Sequence, residues 1–257
     1  MELGVHLPLI AFDHPRCDLP AYTRAAAALG YTHVCANDHL FFARPWLDGP
    51  TALASVIEAA GDMTLATTVL LPVIRGVTQT AQLINALQEL SGGRVLCGVG
   101  PGSSRRDYDA VGIPFEERWP RFDAAVRALR DAVTAPVWIA SWGSAAGMRR
   151  VTRLGDGWLA SAYNTTPEAF AAVRPPLPNA LATMWLYVTD SPAEAQRVSD
   201  QLGRLLNRSR LPDLLIGSPS QCAERVDAYA HAGCERIFVW PLADELHQLE
   251  RLREAVA

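Results

Sequence analysis

Residues 86–100, ALQELSGGRVLCGVG, run from a helix with apolar side chains at helical spacing, through a glycine pair, into a short apolar strand. Glycine commonly closes a helix in the left-handed conformation, so this stretch predicts a helix, a tight turn and a strand. The same succession recurs in AAAALGYTHVCAND (25–38), RVTRLGDGWLAS (150–161) and AYAHAGCERIFVW (228–240). The closing glycines are Gly30, Gly93, Gly155 and Gly233, which lie 63, 62 and 78 residues apart. Each interval accommodates about two strand–helix units of roughly 30 residues.

Filling in the units between these junctions gives eight strands, expected near residues 3–8, 33–37, 64–71, 95–100, 137–140, 157–160, 180–188 and 236–240. Strands that alternate with helices form a parallel sheet, and eight such units predict an α/β fold closed as a (β/α)8 TIM barrel. We expect residues 1–257 to form a single domain. Four prolines between 165 and 180 leave room for only a short helix, so we expect a shortened unit there.

Composition and charge exclude several classes of protein. A net charge of −4 argues against a nucleic-acid partner. No apolar run approaches the roughly 18 residues of a membrane span, and the start lacks a signal-peptide pattern, so we expect a cytoplasmic protein with a small-molecule substrate. All 23 basic residues are arginine, which excludes chemistry based on lysine. The five scattered cysteines and the histidines, His6 included, show no metal-binding spacing.

The unusual residues of the sequence follow the predicted strands, whose loops converge on one face of a closed barrel. They are Asp38 and His39 after the second strand, Thr67, Thr68 and Val69 in the third, Gly98, Gly100, Gly102 and Ser103 after the fourth, and Ser141, Trp142, Gly143 and Ser144 after the fifth. We regard these as the candidate site residues.

Two of these loops suit a phosphate. The glycines of 98–104 leave backbone N–H groups unobstructed, and 141–144 opens a helix whose N-terminus favours an anion. The alternatives are a tight turn that needs glycine and an ordinary helix cap at Ser144. We expect the two loops to share one phosphate.

Two further sets of residues lie near the strand ends. Five arginines could form a rim that attracts an anionic tail: Arg75, Arg105, Arg106, Arg149 and Arg150. Five aromatic residues could form an apolar substrate pocket: Phe41, Phe42, Trp46, Trp142 and Trp240. Core packing is the alternative for each aromatic residue.

Five blocks in order resemble the luciferase-like monooxygenase family, and in particular its branch that depends on the deazaflavin coenzyme F420. They are LGYTHVCANDHL (29–40), TLATTVLLPVIR (64–75), LSGGRVLCGVGPG (90–102), VGIPFEERWPRFD (111–123) and APVWIASWGSAAGMRRVTRLGDGWL (135–159). The resemblance implies that Asp38 and His39 are catalytic residues beside the cofactor ring, with His39 near the reacting carbon. It implies a β-bulge and a cis Thr68–Val69 peptide behind the ring, phosphate binding by the two loops, and a homodimer.

Three functions remain open at this level. The favoured one is hydride transfer between coenzyme F420 and a small organic substrate, with His39 or a water handling the proton. The second is an FMN-dependent monooxygenase that uses reduced flavin and oxygen, and the third is a non-catalytic flavin-binding barrel. Some deazaflavin sugar dehydrogenases carry a catalytic glutamate where this chain has Ser103 and Ser104, so we do not expect sugar-phosphate dehydrogenation.

Overall fold

The computed structural model describes residues 1–10, 17–42, 44–206 and 214–257. The strands are Glu2–His6 (β1), His33–Ala36 (β2), Thr64–Leu70 (β3), Val95–Val99 (β4), Val137–Ser141 (β5), Gly157–Ser161 (β6), Asn179–Val188 (β7), Leu215–Gly217 (β8) and Arg236–Pro241 (β9). The helices are Leu19–Ala28 (α1), Gly49–Ser55 (α2), Pro72–Arg75 (α3), Val77–Leu90 (α4), Arg105–Ala110 (α5), Arg118–Ala132 (α6), Ala145–Leu154 (α7), Pro167–Val173 (α8), Pro192–Leu205 (α9), Pro219–His231 (α10) and Glu245–Ala255 (α11). Within those ranges, no helix combines the length and the apolar character that crossing a membrane requires.

The strands close into a parallel barrel, as the sequence predicts. β1 to β7 pair in chain order, β7 pairs with β9, and β9 returns to β1, so that eight strands form the ring. The remaining strand, β8, lies outside the ring. It pairs with the end of β7, where Leu215 of β8 is opposite Leu186 of β7. The sequence analysis missed β8, because three residues are too few to show a period.

Alternate side chains of the strands enter two separate apolar layers. Cys35, Ala66, Leu96 and Trp138 pack together in a cluster that contains no helix residue, inside the ring. The main core includes strand residues such as Val34 and helix residues such as those of α4 and α6, between sheet and helices. This arrangement follows from the two-residue period of a strand.

The unit after β6 is short, as expected. Helix α8 has seven residues and begins at a Thr166 cap that accepts the Ala169 N–H. Its Phe170 stacks on Trp158 of β6 with ring centroids 4.7 Å apart, which anchors the short helix on the barrel.

Three of the four closing glycines behave as predicted. Gly30, Gly93 and Gly233 have φ angles of +78°, +90° and +86°, which favour glycine. The prediction for Gly155 is wrong, because its φ is −102°. A Cβ there would lie 3.0 Å from the Gly157 carbonyl oxygen and 3.1 Å from that of Val151. Gly155 is therefore needed for space and not for its backbone conformation.

Strand β3 is irregular where it faces β4. The register of the pair shifts between Thr67 and Leu70, and the Thr68–Val69 peptide is cis, both as the family resemblance implies. A Cβ on Gly98 of β4 would overlap the Thr67 carbonyl oxygen, and one on Gly100 would lie 2.6 Å from Val69 Cγ2. These glycines let β4 approach the irregular strand closely.

This packing predicts different costs for two alanine substitutions. Gly98→Ala should lower the free energy of unfolding by about 2–3 kcal/mol, because its methyl group has no room. Gly92→Ala should cost only about 1 kcal/mol, since nothing lies within 4 Å of a Cβ there and only its φ of +67° is unfavourable. Urea unfolding of both variants checks the difference, and equal losses would contradict the close approach of β3 and β4.

Candidate active site

A cavity of about 340 Å³ lies at the carboxyl ends of the strands. Its lining comes from loops or strand ends of most of the ring: Asn37, His39, Phe42, Trp46, Thr68, Val69, Ser103, Ala140, Ser141, Trp142, Leu159, Ala160, Ser161, Tyr163, Ala182, Thr183, Trp185, Leu206 and Trp240. Its volume falls at the lower end of the roughly 300–1,000 Å³ of small-molecule sites.

The cavity brings together about half of the predicted site residues. His39, Thr68, Val69, Ser103, Ser141 and Trp142 line it, whereas Asp38, Thr67, Gly98, Gly100, Gly102, Gly143 and Ser144 are not among its lining residues. The Thr67 hydroxyl donates to the Gly98 carbonyl at 2.8 Å. Ser144 caps α7 by accepting the Gly147 N–H at 3.2 Å, which is the alternative weighed for that residue.

Asp107 of α5 lies next to His39. Its Oδ2 is 3.7 Å from His39 Nδ1, and its Oδ1 accepts the Phe41 N–H at 3.3 Å. The Asp107 N–H donates to the hydroxyl of Ser104, which caps α5, at 3.2 Å. The sequence analysis missed Asp107, although a serine followed three residues later by an acidic residue is a capping signal that could have found it.

The electrostatic environment keeps Asp107 ionised. Burial acts to raise the pKa of this carboxyl, but the neighbouring side chains of His39 and Ser104, together with the Phe41 N–H, hold it below its usual value. An ionised carboxylate beside Nδ1 favours the His39 form with a proton on that nitrogen. Nε2 is then the nitrogen that can exchange a proton with a ligand.

Asp38 has a different set of contacts. Arg75 donates to both carboxylate oxygens, from Nε to Oδ2 at 2.6 Å and from Nη2 to Oδ1 at 2.8 Å. Asp38 Oδ2 also accepts the Leu71 N–H at 3.2 Å, and Arg75 further pairs with Asp48, the cap of α2. Hydrogen bonding to Asp38 is the main cause of a raised Arg75 pKa. These contacts fix the loop that carries His39.

The structure does not form the predicted arginine rim. Besides Arg75, Arg105 pairs with Glu116 at 2.6 Å and Arg150 pairs with Asp123. Arg106 lies over the Phe41 ring at 4.4 Å, and Arg149 is exposed on α7. Most of these side chains are therefore engaged within the protein.

Aromatic side chains form one wall of the cavity. Trp240 stacks on Trp185 with centroids 4.7 Å apart and meets the edge of Trp46 at 5.6 Å. Trp46 contacts Phe42 at 4.8 Å, and Trp142 lies at the cavity with 60% of its surface exposed. The predicted aromatic pocket is thus present, except that Phe41 does not line the cavity. Trp185 was missed because a buried apolar strand does not reveal which side chains reach its open end.

Unpartnered polar atoms collect around this cavity. Among the described residues, eight buried side-chain atoms lack a hydrogen-bond partner. Five of them belong to residues that line the cavity: Asn37 Oδ1, His39 Nδ1, Trp46 Nε1, Thr68 Oγ1 and Trp240 Nε1. Aromatic rings and polar side chains line the cavity together, so it fits a ligand that combines a flat apolar body with hydrogen-bonding edges, as a flavin or deazaflavin ring does.

The similarity of the sequence to known proteins is consistent with this geometry. The family model described as luciferase-like monooxygenase matches residues 14–136, which confirms the resemblance predicted from the sequence. A 5,10-methylenetetrahydromethanopterin reductase from Methanolobus tindarius is 31% identical over 116 residues. That match covers 45% of this chain and 34% of the reductase, so the matched stretch spans only about a third of the relative's length.

Solved structures show the same fold along the whole chain. A monooxygenase from Streptomyces bottropensis superimposes with a TM-score of 0.83 at 17% identity, covering 100% of this chain and 98% of that chain. An F420-dependent secondary alcohol dehydrogenase, in complex with an F420–acetone adduct, gives a TM-score of 0.81 at 13% identity, with 100% and 99% covered. At these identities the likeness concerns the fold alone.

The environment of Asp107 predicts a pH-dependent contribution to stability. Because the folded pKa is lowered, the contribution is complete above the unfolded pKa of about 3.9 and is lost as the pH falls through the folded pKa. The difference in free energy of unfolding between the natural protein and Asp107→Asn should therefore be constant between pH 7 and about 5 and shrink below about 4. Urea unfolding at pH 7, 5 and 3.5 measures it. A difference that stays constant to pH 3.5 would show that the carboxylate charge is not stabilised in the fold.

Proposed function

We propose that this chain, a match to the luciferase-like monooxygenase family over residues 14–136, transfers a hydride between coenzyme F420 and a small organic substrate. The observation that carries the proposal is the His39–Asp107 pair at a cavity that aromatic and polar side chains line together. The sequence blocks that resemble the F420-dependent branch support the choice of cofactor, and the sequence likeness to a 5,10-methylenetetrahydromethanopterin reductase supports a reductase reaction.

The residues that would hold the cofactor come from three strand ends. Thr68 and Val69 of β3 would back the ring, and Ser103 and Ser141 would contribute polar contacts beside it. When bound, the deazaflavin supplies the carbon that accepts or donates a hydride. Trp142 would cover the outer side of the ring, because it is a large apolar residue at the cavity with most of its surface exposed.

His39 would move the proton that accompanies the hydride. Its ring contacts Phe42 at 5.4 Å and Trp46 at 4.9 Å, which fixes the imidazole and keeps water from one side of it. Asp107 orients the ring through Nδ1, so Nε2 accepts a proton from a substrate hydroxyl or donates one to a carbonyl. Asp38 would act indirectly, by holding the His39 loop through Arg75.

The same cavity would serve an FMN-dependent monooxygenase, because the fold is shared with a monooxygenase solved in complex with FMN. A non-catalytic barrel would bind the ring without needing the His39–Asp107 pair. The pair of measurements below separates the three functions.

Cofactor choice is tested by titrating the purified protein and following fluorescence quenching. Coenzyme F420 should bind at least ten times more tightly than FMN, a difference of about 1.4 kcal/mol. Equal or tighter binding of FMN would instead support the flavin monooxygenase.

The role of His39 is tested with His39→Ala. Turnover should fall about 100-fold. The melting temperature should stay within a few degrees, because the His39 side chain is partly exposed and its Nδ1 lies beyond hydrogen-bond distance of Asp107. The rate is measured from deazaflavin absorbance with a substrate found by screening small secondary alcohols and ketones. The matched control is His247→Ala, on an exposed histidine of α11, which should change neither quantity. An unchanged rate in His39→Ala would remove the proposed proton transfer, and a collapse in melting temperature would indicate a structural role.

A further inference from the structure

His6 ends strand β1 and is completely buried, yet the proposed reaction makes no use of it. Its ring stacks on Trp240 with centroids 4.9 Å apart and an angle of 11° between the planes. Its Nε2 accepts the Thr183 N–H at 3.2 Å. Trp240 and Thr183 both line the cavity, so His6 supports two separate parts of its wall from behind.

Thr183 lies at an irregular point of the barrel. The pairing of β7 with β9 shifts register between Leu181 and Met184, and Thr183 has a φ of +58°, which a β-branched residue rarely adopts. Such a conformation persists only where the surroundings enforce it. The hydrogen bond to His6 helps to hold the Thr183 backbone in this conformation.

The Thr183 contact fixes the protonation of His6. A backbone N–H can only donate, so Nε2 must be without a proton, and a neutral ring then carries its proton on Nδ1. Burial lowers the pKa of His6 to about 3, which keeps the ring neutral over the working pH range. Nδ1–H is therefore a buried donor that needs an acceptor.

Asn37 offers that acceptor. Its side chain acts to raise the pKa of His6, against the larger effect of burial, as an oxygen facing the ring would. Asn37 follows Cys35, the register partner of His6 in the β1–β2 pair, by two residues. Its buried Oδ1 and the buried His6 Nδ1 both lack a hydrogen-bond partner, so a free acceptor and a free donor lie at the same strand ends. Asn37 as a residue is only half-buried and lines the cavity.

We propose that His6 is a positioning residue that holds Asn37 Oδ1 and so turns the Asn37 amide nitrogen into the cavity, as a donor for a carbonyl oxygen on an uncharged part of the ligand. The amide must present its nitrogen on the side opposite its oxygen, because the two atoms share one planar group. Identifying the ligand with the cofactor or its substrate rests on the proposed function.

The rest of the lining fits an uncharged ligand. Among the described residues that line the cavity, none is an aspartate, a glutamate or an arginine. Charged groups buried without a partner are costly, whereas a carbonyl oxygen needs only a donor. A charged portion of the ligand would therefore lie outside this cavity, and the portion inside would be recognised by its shape and its acceptor oxygen.

The first test reads the His6 tautomer without any ligand. Nitrogen-15 NMR of the histidine rings, assigned by comparison with His6→Phe, should show His6 neutral with its proton on Nδ1 at pH 7 and at pH 5. His33 is the matched control, since it is also a buried histidine with a pKa lowered by burial, to about 4. A proton on Nε2, or a protonated ring at pH 5, would overturn the proposal whatever the protein binds.

The second test measures the consequence for binding, with coenzyme F420 as the probe. Asn37→Asp keeps an oxygen for His6 but replaces the donor nitrogen, so the affinity should fall at least 10-fold with little change in melting temperature. In a His6→Phe background, which keeps the flat ring on Trp240, the same substitution should have a clearly smaller effect. In a His33→Phe background its effect should be undiminished.

These outcomes separate the two proposals. If the natural protein does not bind F420, the proposed function fails and the NMR result alone decides the role of His6. If F420 binds and the Asn37→Asp effect is absent, or is the same in the His6→Phe and His33→Phe backgrounds, the positioning role of His6 is overturned while the proposed function stands.

Discussion

The pairing of β9 with β1 on one edge and with β7 on the other closes the sheet, and the rest of the site depends on this closure. It brings His6 of β1 next to Thr183 of β7 and Trp240 of β9, which lie 177 and 234 residues further along the chain but in consecutive strands of the ring. An open sheet would leave the first and last strands far apart. The ring instead places most strand ends around one cavity, where a few contacts can fix many side chains.

Close packing limits the shape of that cavity. β3 leaves its regular register opposite β4, and the glycines of β4 occupy the positions where a side chain would overlap it. The main role of Gly98 and Gly100 is therefore to leave space for the Thr67 carbonyl group and the Val69 side chain. A phosphate-binding loop and a packing requirement both favour glycine, and the packing requirement is the one supported by the distances.

Two aspartates near His39 have different environments and therefore different tasks. Asp38 is held by Arg75 through hydrogen bonds to both carboxylate oxygens, an arrangement that orders the loop. Asp107 faces Nδ1 of His39 and remains ionised there. A carboxylate held by an arginine makes its loop rigid. A carboxylate next to an imidazole instead favours the form of the ring that carries its proton on the facing nitrogen. The family resemblance implies that Asp38 lies beside the cofactor ring; in the structure its carboxylate pairs with Arg75, and Asp107 is the carboxylate next to His39.

The sequence by itself determined the barrel, the shortened unit near residue 170 and the strand ends that carry His39, Thr68 and Ser141, because periodicity and closing glycines are local signals that each unit repeats. It also indicated a family, through short blocks that keep their order. Only the tertiary structure decided which residues meet: Asp107 with His39, Arg75 with Asp38, and His6 with Thr183 and Trp240. These partners lie 37 to 234 residues apart in the sequence. Asp107 belongs to helix α5, which follows β4, whereas His39 follows β2. No local pattern encodes such contacts, since they arise from the curvature that closes the ring.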